Sequence, residues 1–330
     1  MDIKSVLKEK ASLVEPVMRG YLEVADPEIR KMLLHTFEAG GKRVRPALVL
    51  LSAECVGCDS NKLLSAAAAV ELLHTFTLVH DDIMDKDLGR RGRPTVHALW
   101  GEEIGIVVGD TLYSASFQAL VDSRKAVGDC TPVLDALEVL TSANSELQEG
   151  QIHDVFFEDR VDVNVDEYLD MVKKKTGVLM EASTKIGAIL GGGTKEQVEA
   201  LGDYGRNVGI AFQIQDDILD MVADQEKLGK RVGSDLREGK RSIIILHALA
   251  NASDQQKEKI HSVLGLGDDA TEEQVHEVVK LFKEINSIEY ARDLAKDLGE
   301  KAKKSLGPIE DGQAKEALCS LADFIINREF

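Results

Sequence analysis

Two stretches of this chain run an apolar segment straight into three closely spaced aspartates. Asp81-Asp82-Ile83-Met84-Asp85 closes the run at 63–79, and Asp216-Asp217-Ile218-Leu219-Asp220 follows Ile210-Ala211-Phe212-Gln213-Ile214. On a helix, positions three and four apart share a face, so each triad can present its carboxylates together. Clustered charges repel strongly in a partly buried site. Either water solvates them or a cation lies among them. A solvated helix end accounts for one such triad. The same triad twice, with the same apolar approach, points to a hard divalent cation with oxygen ligands, and Mg²⁺ binds through one or two carboxylates plus substrate phosphates.

The segments around the triads read as helices. Residues 2–21 carry apolar side chains at roughly helical spacing, and Asp26-Pro27 caps a helix running to about Glu38. After Gly40-Gly41, helices are expected from Ala47 to about Cys55, over 63–79, and from Thr95 through Trp100. Others follow over 104–121, 132–157, 165–190 and 195–222, with four or so amphipathic ones from 243 to 330. Four alanines at 66–69 permit close helix approach, which makes 63–79 central. No region alternates like a strand between turn signals, so the expected fold is all-α. No linker interrupts residues 1–330, which read as one domain.

A net charge of −18 argues against nucleic acid and against an anionic membrane surface. The most apolar runs carry Glu71 and His74, or Asp110, and read as buried helices, so no integral membrane segment is expected. Four cysteines and no secretory signal suggest a reducing cytoplasm. Cys55-Val-Gly-Cys58 has no second pair to complete a zinc site and reads as reduced thiols.

Against this acidic background, cations gather in short segments. Lys42, Arg43 and Arg45 precede an apolar helix, at the end where the helix dipole disfavours them, so either an anionic partner compensates them or they stand in a solvated loop. Arg90, Arg91 and Arg93 stand in a Gly/Pro loop just after the first triad. They either neutralise the triad or hold phosphate with bidentate geometry. Lys175-Thr176-Gly177 lies inside an amphipathic pattern, and Gln151 and Asp154 share a face of the preceding helix. Basic, glycine-flanked segments bearing Lys230 and Lys240 follow the second triad.

Taken in order the parts are G-K-R-x-R-P, D-D-x-x-D, R-R-G-x-P-T, G-Q-x-x-D, K-T-G and F-Q-x-x-D-D-x-x-D, between residue 41 and about 242. The series resembles the trans-type isoprenyl diphosphate synthases, nearest the archaeal-type geranylgeranyl enzymes. The resemblance implies a single-domain bundle of antiparallel helices around a deep central cavity, as a homodimer. It implies condensation of isopentenyl diphosphate with allylic diphosphates, using three Mg²⁺ ions. By the same resemblance Asp81, Asp85 and Asp216 are the direct Mg²⁺ ligands, while Asp82, Asp217 and Asp220 act through water or neighbours. Arg90, Lys175 and Lys230 look like allylic diphosphate ligands, and Lys42, Arg45, His74 and Arg91 like the isopentenyl diphosphate pocket. Arg43 falls either on phosphate or on a structural pair. Thr176 and Gln213 look like neighbours of the reacting carbons, Gln151 and Asp154 like supporting polar groups, and Lys240 like part of a closing loop.

Product length is expected to depend on bulk along the helix leading into the first triad. Phe76 lies five residues before Asp81, about 7.5 Å up the axis. Thr77 is small and Leu73 medium-sized. This pattern resembles a geranylgeranyl diphosphate synthase, with a farnesyl or mixed-product enzyme as the alternative. A class I terpene cyclase or a non-catalytic partner subunit fits less well, because both cation groups and both triads are complete.

Overall fold

The computed structural model describes residues 2–222 and 232–328. Its residues group into two compact units, each built from interleaved segments of the sequence. The first comprises Met1–Ser142, Leu179–Gly205 and Ser305–Ser320; the second comprises Ala143–Val178, Arg206–Lys304 and Leu321–Phe330.

The first unit is built around α4 (Leu64–Met84), which packs against α1 (Ile3–Tyr21), α3 (Val44–Cys55) and α6 (Glu102–Asp122). Ala66–Ala69, Leu72 and Leu73 have no exposed surface. Small residues on α6 let the two helices approach: a Cβ on Gly105 would lie 2.7 Å from Ile83, and one on Gly109 would fall into the His80 ring. Each fully buried Leu contributes about 1.5–3 kcal/mol. α2 (Pro27–Glu38) begins as the sequence predicts, with the Asp26 side chain accepting from the N–H groups of Glu28 and Ile29. The short helices α5 (Val96–Trp100) and α7 (Arg124–Val127) flank α6 in sequence. α4 runs past the expected 63–79 through Met84, with Asp81 and Asp82 in its last turn and Asp85 as its C-cap. A two-residue antiparallel pair, Gly89–Arg90 with Arg93–Pro94, ties the arginine loop into a hairpin on the otherwise helical chain.

In the second unit, α8 (Thr131–Asp159) from residue 143 onward leads to α9 (Val165–Val172). The predicted helix over 165–190 is broken by a π turn at Lys173–Gly177 before α10 (Val178–Leu190) continues. Such turns insert one residue and swing the following side chains around the axis, often at functional sites. α11 (Lys195–Val222) buries Ala211, Ile214, Ile218 and Met221, the spacing of one helical stripe. That stripe meets Ile243–Leu246 of α13 (Ile243–Asn251) and Val275, Val278 and Phe282 of α15 (Glu272–Glu284) in one core. α12 (Ser234–Glu238), α14 (Asp254–His261), α16 (Ser287–Ser305) and α17 (Gln313–Ile326) complete the helical order.

Candidate active site

In the first unit the polar groups gather along α4. Arg43 stands at the N-cap of α3 with a left-handed backbone, φ +48°. Its buried guanidinium donates to Glu71 (2.9 Å) and to the Phe37 carbonyl (3.2 Å). The anionic partner that compensates Arg43 is therefore Glu71, a residue the sequence reading treated only as a core marker. Arg45, two residues on, donates through Nη1 to His74 Nε2 (3.0 Å). A nitrogen that accepts from arginine carries no proton, so His74 is neutral with its hydrogen on Nδ1. Loss of water, then Arg45, Arg91, Arg90 and Arg43 in turn, hold it well below the usual histidine range. Arg91 reaches the Gly40 carbonyl, and Gly41 admits it: a Cβ there would sit 2.7 Å from Arg91 and 3.1 Å from Arg43. Four arginines thus act electrostatically on one neutral histidine, Arg45 by direct contact, in a chain of net charge −18. Lys42 is exposed beside them in sequence.

About two turns along α4 come the carboxylates. Asp81 and Asp82 lie in the last turn and Asp85 is the C-cap, where the dipole's negative end opposes further negative charge. Asp82 is 3% exposed and is gripped by Arg90, Nε to Oδ1 2.6 Å. Burial still raises its carboxyl despite that partner. Asp81 is half-buried and Asp85 exposed.

The second unit repeats this division. Asp217 is 4% exposed and fully engaged by protein: it accepts from Tyr168 Oη (2.5 Å), Gln213 Nε2 (3.2 Å) and the Ile243 N–H (3.2 Å). Gln213 in turn accepts from the Thr176 hydroxyl (3.0 Å). Asp220 accepts the backbone N–H groups of Ser234 and Asp235, both 3.1 Å. The segment after this triad therefore meets Asp220 through main-chain donors as well as by bearing cations. Asp216 is half-buried and pairs with Arg328 (2.8 Å). Lys175 bonds Asp154. Beside these groups lies a cavity of about 110 Å³ with Asp154, Tyr168, Lys175, Thr176, Gln213, Asp217, Asp235 and Lys240 on its wall. Gln151 is buried on α8. Lys230 lies outside the described residues.

Sequence reasoning missed Tyr168, Asp235, Arg328 and the role of Glu71. Asp235 sits inside a segment read as basic, and its own acidity was the available signal. Tyr168 and Arg328 carry none, since only packing brings them to residues 49 and 112 positions away.

The acidic cavity has a pH signature. Loss of water and then Asp235 raise Asp220 to about 8. Loss of water raises Asp217 against its hydrogen bonds, and raises Asp235 with Asp217's help. Unfolded, these carboxyls ionise near pH 4. Between about 4 and 8 the folded state holds the extra protons, so stability of metal-free protein falls as pH rises. His74 acts oppositely: being depressed, it costs stability only as pH drops below about 6.5. Above that the carboxyls act alone. The Tm of metal-free protein should fall between about pH 6.5 and 8.5, by a few degrees per unit at most. Calorimetric scans of Asp220→Asn should show a flatter fall; an unchanged slope would assign the titration elsewhere.

The solved geranylgeranyl pyrophosphate synthetase of Pyrococcus horikoshii superimposes with a TM-score of 0.93 at 42% identity, covering 99% of each chain. The scaffold is therefore the all-α isoprenoid synthase fold. The polyprenyl synthetase family model matches residues 26–282, and the chain belongs to that family. It is 45% identical to the short chain isoprenyl diphosphate synthase of Methanothermobacter thermautotrophicus, over 96% of this chain and 99% of the relative. It is 43% identical to the geranylgeranyl diphosphate synthase of Methanosarcina mazei, over 100% and 99%.

Proposed function

We propose that this chain is a geranylgeranyl diphosphate synthase, extending dimethylallyl, geranyl and farnesyl diphosphates with isopentenyl diphosphate. The observation that carries it is Arg45 donating to neutral His74 on the helix that ends in an aspartate triad, with Arg91 and Arg43 side by side at Gly41 and Arg90 held on Asp82. Of these, Arg43 is committed to Glu71; Arg45, Arg91, His74 and exposed Lys42 form the pocket for isopentenyl diphosphate, whose charge they meet without metal. Three Mg²⁺ ions belong with the allylic diphosphate, at Asp81, Asp85 and Asp216. Among the described residues no group of three or more His, Cys, Asp or Glu side chains is placed to hold a metal ion. The reading rests on Mg²⁺ using one or two carboxylates, with waters and substrate phosphates as its other ligands.

When bound, the metal neutralises charge on the leaving diphosphate. Arg90, Lys175 and Lys230 hold that group, and Asp82 and Asp217 keep Arg90 and Gln213 in place. The allylic C–O bond breaks, diphosphate leaves with the electron pair, and the isopentenyl double bond attacks the resulting carbocation. A proton then leaves the new chain for the departed diphosphate. Thr176 and Gln213 adjoin the reacting carbons, Asp154 steadies Lys175, and Lys240 closes the site. Residues 1–330 are read as one polyprenyl synthase domain, in a cytoplasmic homodimer. Residues 60–84 and 102–127 are apolar and long enough to cross a membrane; the first is mostly buried in protein, while the second exposes Ile106, Val107 and Val121, a face suited to a second copy.

Purified protein with isopentenyl and dimethylallyl diphosphates and Mg²⁺ should yield mainly the C20 product; no condensation product would overturn the reading. A farnesyl or mixed product is the second reading; the 45%-identical relative's name, a short chain isoprenyl diphosphate synthase, leaves the length unspecified. Product length also tests Phe76, which packs its buried ring against Tyr113 (5.0 Å) and His80 (4.8 Å) above fully buried Leu73. Thr77, beside it, turns its hydroxyl to the His74 carbonyl. Phe76→Ala should lengthen the main product by at least one C5 unit on chromatography of the dephosphorylated alcohols. An unchanged profile would remove Phe76 from the floor of the chain tunnel.

A further inference from the structure

Residue 328 meets α11 at three points. Arg328 Nη1 donates to Asp216 Oδ1 (2.8 Å), its carbonyl accepts from Gln215 Nε2 (2.8 Å), and its guanidinium lies 5.5 Å from the Phe212 ring centroid. Its Nε–H is buried with no hydrogen-bond partner. We propose that Arg328 is an internal counter-cation of the metal site, holding the Asp216 carboxylate in metal-free protein and displaced from it when metal and diphosphate load. The inference rests on the reading of Asp216 as a metal ligand.

Three features support a partner built for exchange. The ion pair is partly exposed, 22% for Arg328 and 38% for Asp216, and pairs of that kind contribute little net stability. The orphaned Nε–H is a cost of this pose that release removes. The carbonyl contact with Gln215 and the ring of Phe212 keep the guanidinium close to Asp216, so the exchange is local. Meanwhile Asp216 stands beside buried Asp217 in an acidic chain, and a resident cation relieves that repulsion until a divalent one arrives.

The competition has a thermodynamic readout. Mn²⁺ binding in the presence of inorganic pyrophosphate is followed by electron paramagnetic resonance of free Mn²⁺ and by titration calorimetry, on the full chain. Arg328→Gln, and separately a chain ending at Asn327, should lower the half-saturating Mn²⁺ concentration about two- to fivefold. Arg328→Lys should lie nearer the parent. Unchanged or weaker Mn²⁺ affinity in both Arg328→Gln and the shortened chain overturns the proposal. Asp216→Asn separates the two levels. If it leaves Mn²⁺ binding intact, the metal reading of Asp216 fails. If it weakens binding and Arg328→Gln does not tighten it, the counter-cation alone fails. In an Asp216→Asn background, Arg328→Gln should change nothing.

Discussion

Asp81→Asn is expected to lower kcat/KM for the allylic substrate at least about a thousandfold. Charge stabilisation through a metal contributes several kcal/mol at the transition state, and every ~1.4 kcal/mol is a factor of ten. The loss should be specific to position. Asp81 keeps accessible surface at the end of α4, whereas Asp82 is buried one residue on and held by Arg90. Asp82→Asn keeps the shape but weakens the grip on Arg90, and outer partners of a metal site typically cost about 10- to 100-fold. Steady-state kinetics across a Mg²⁺ series should place the two variants at least tenfold apart. Equal losses would mean that the division between accessible and buried carboxylates has no functional meaning.

The second expectation concerns stability. Arg43 and Glu71 are 3% and 5% exposed at the side chain and bond each other at 2.9 Å. Removing one partner of such a pair leaves a buried charge uncompensated, at a cost of about 3–5 kcal/mol. That is a large share of a net stability of roughly 5–15 kcal/mol. Arg43→Met should therefore shift urea unfolding sharply, and Arg43→Met with Glu71→Leu should recover most of the loss. The double variant also decides what Arg43 does in the basic segment. With its guanidinium committed to Glu71, KM for isopentenyl diphosphate should stay within about threefold of the parent. A tenfold rise would return Arg43 to the substrate.

Much of this was legible in the chain because it depends on short-range spacing. Apolar residues at helical intervals and the alanines at 66–69 placed α4, and Asp26-Pro27 placed the start of α2. The two triads announced themselves by repetition, and the arginine and lysine segments by standing out against an acidic composition. What was not legible falls into two kinds. The π turn at Lys173–Gly177 adds one residue to a turn, a change too small to disturb an apolar pattern spread over 165–190. Partner choice is the other kind. Nothing near Asp217 in sequence indicates Tyr168, and nothing near Arg43 singles out Glu71 from the other acids of the chain.

By itself, then, the sequence determined the helical class, the two carboxylate triads and the cations that accompany them. Each of these is written in residue type and periodicity. Tertiary structure decided which members of each triad keep accessible surface: Asp82 and Asp217 are buried, while Asp81, Asp85 and Asp216 are not. It also set the protonation of His74 and the commitment of Arg43. The physical reason is common to all of them. Burial and charge pairing depend on distances between side chains far apart in the chain, and only packing sets those distances.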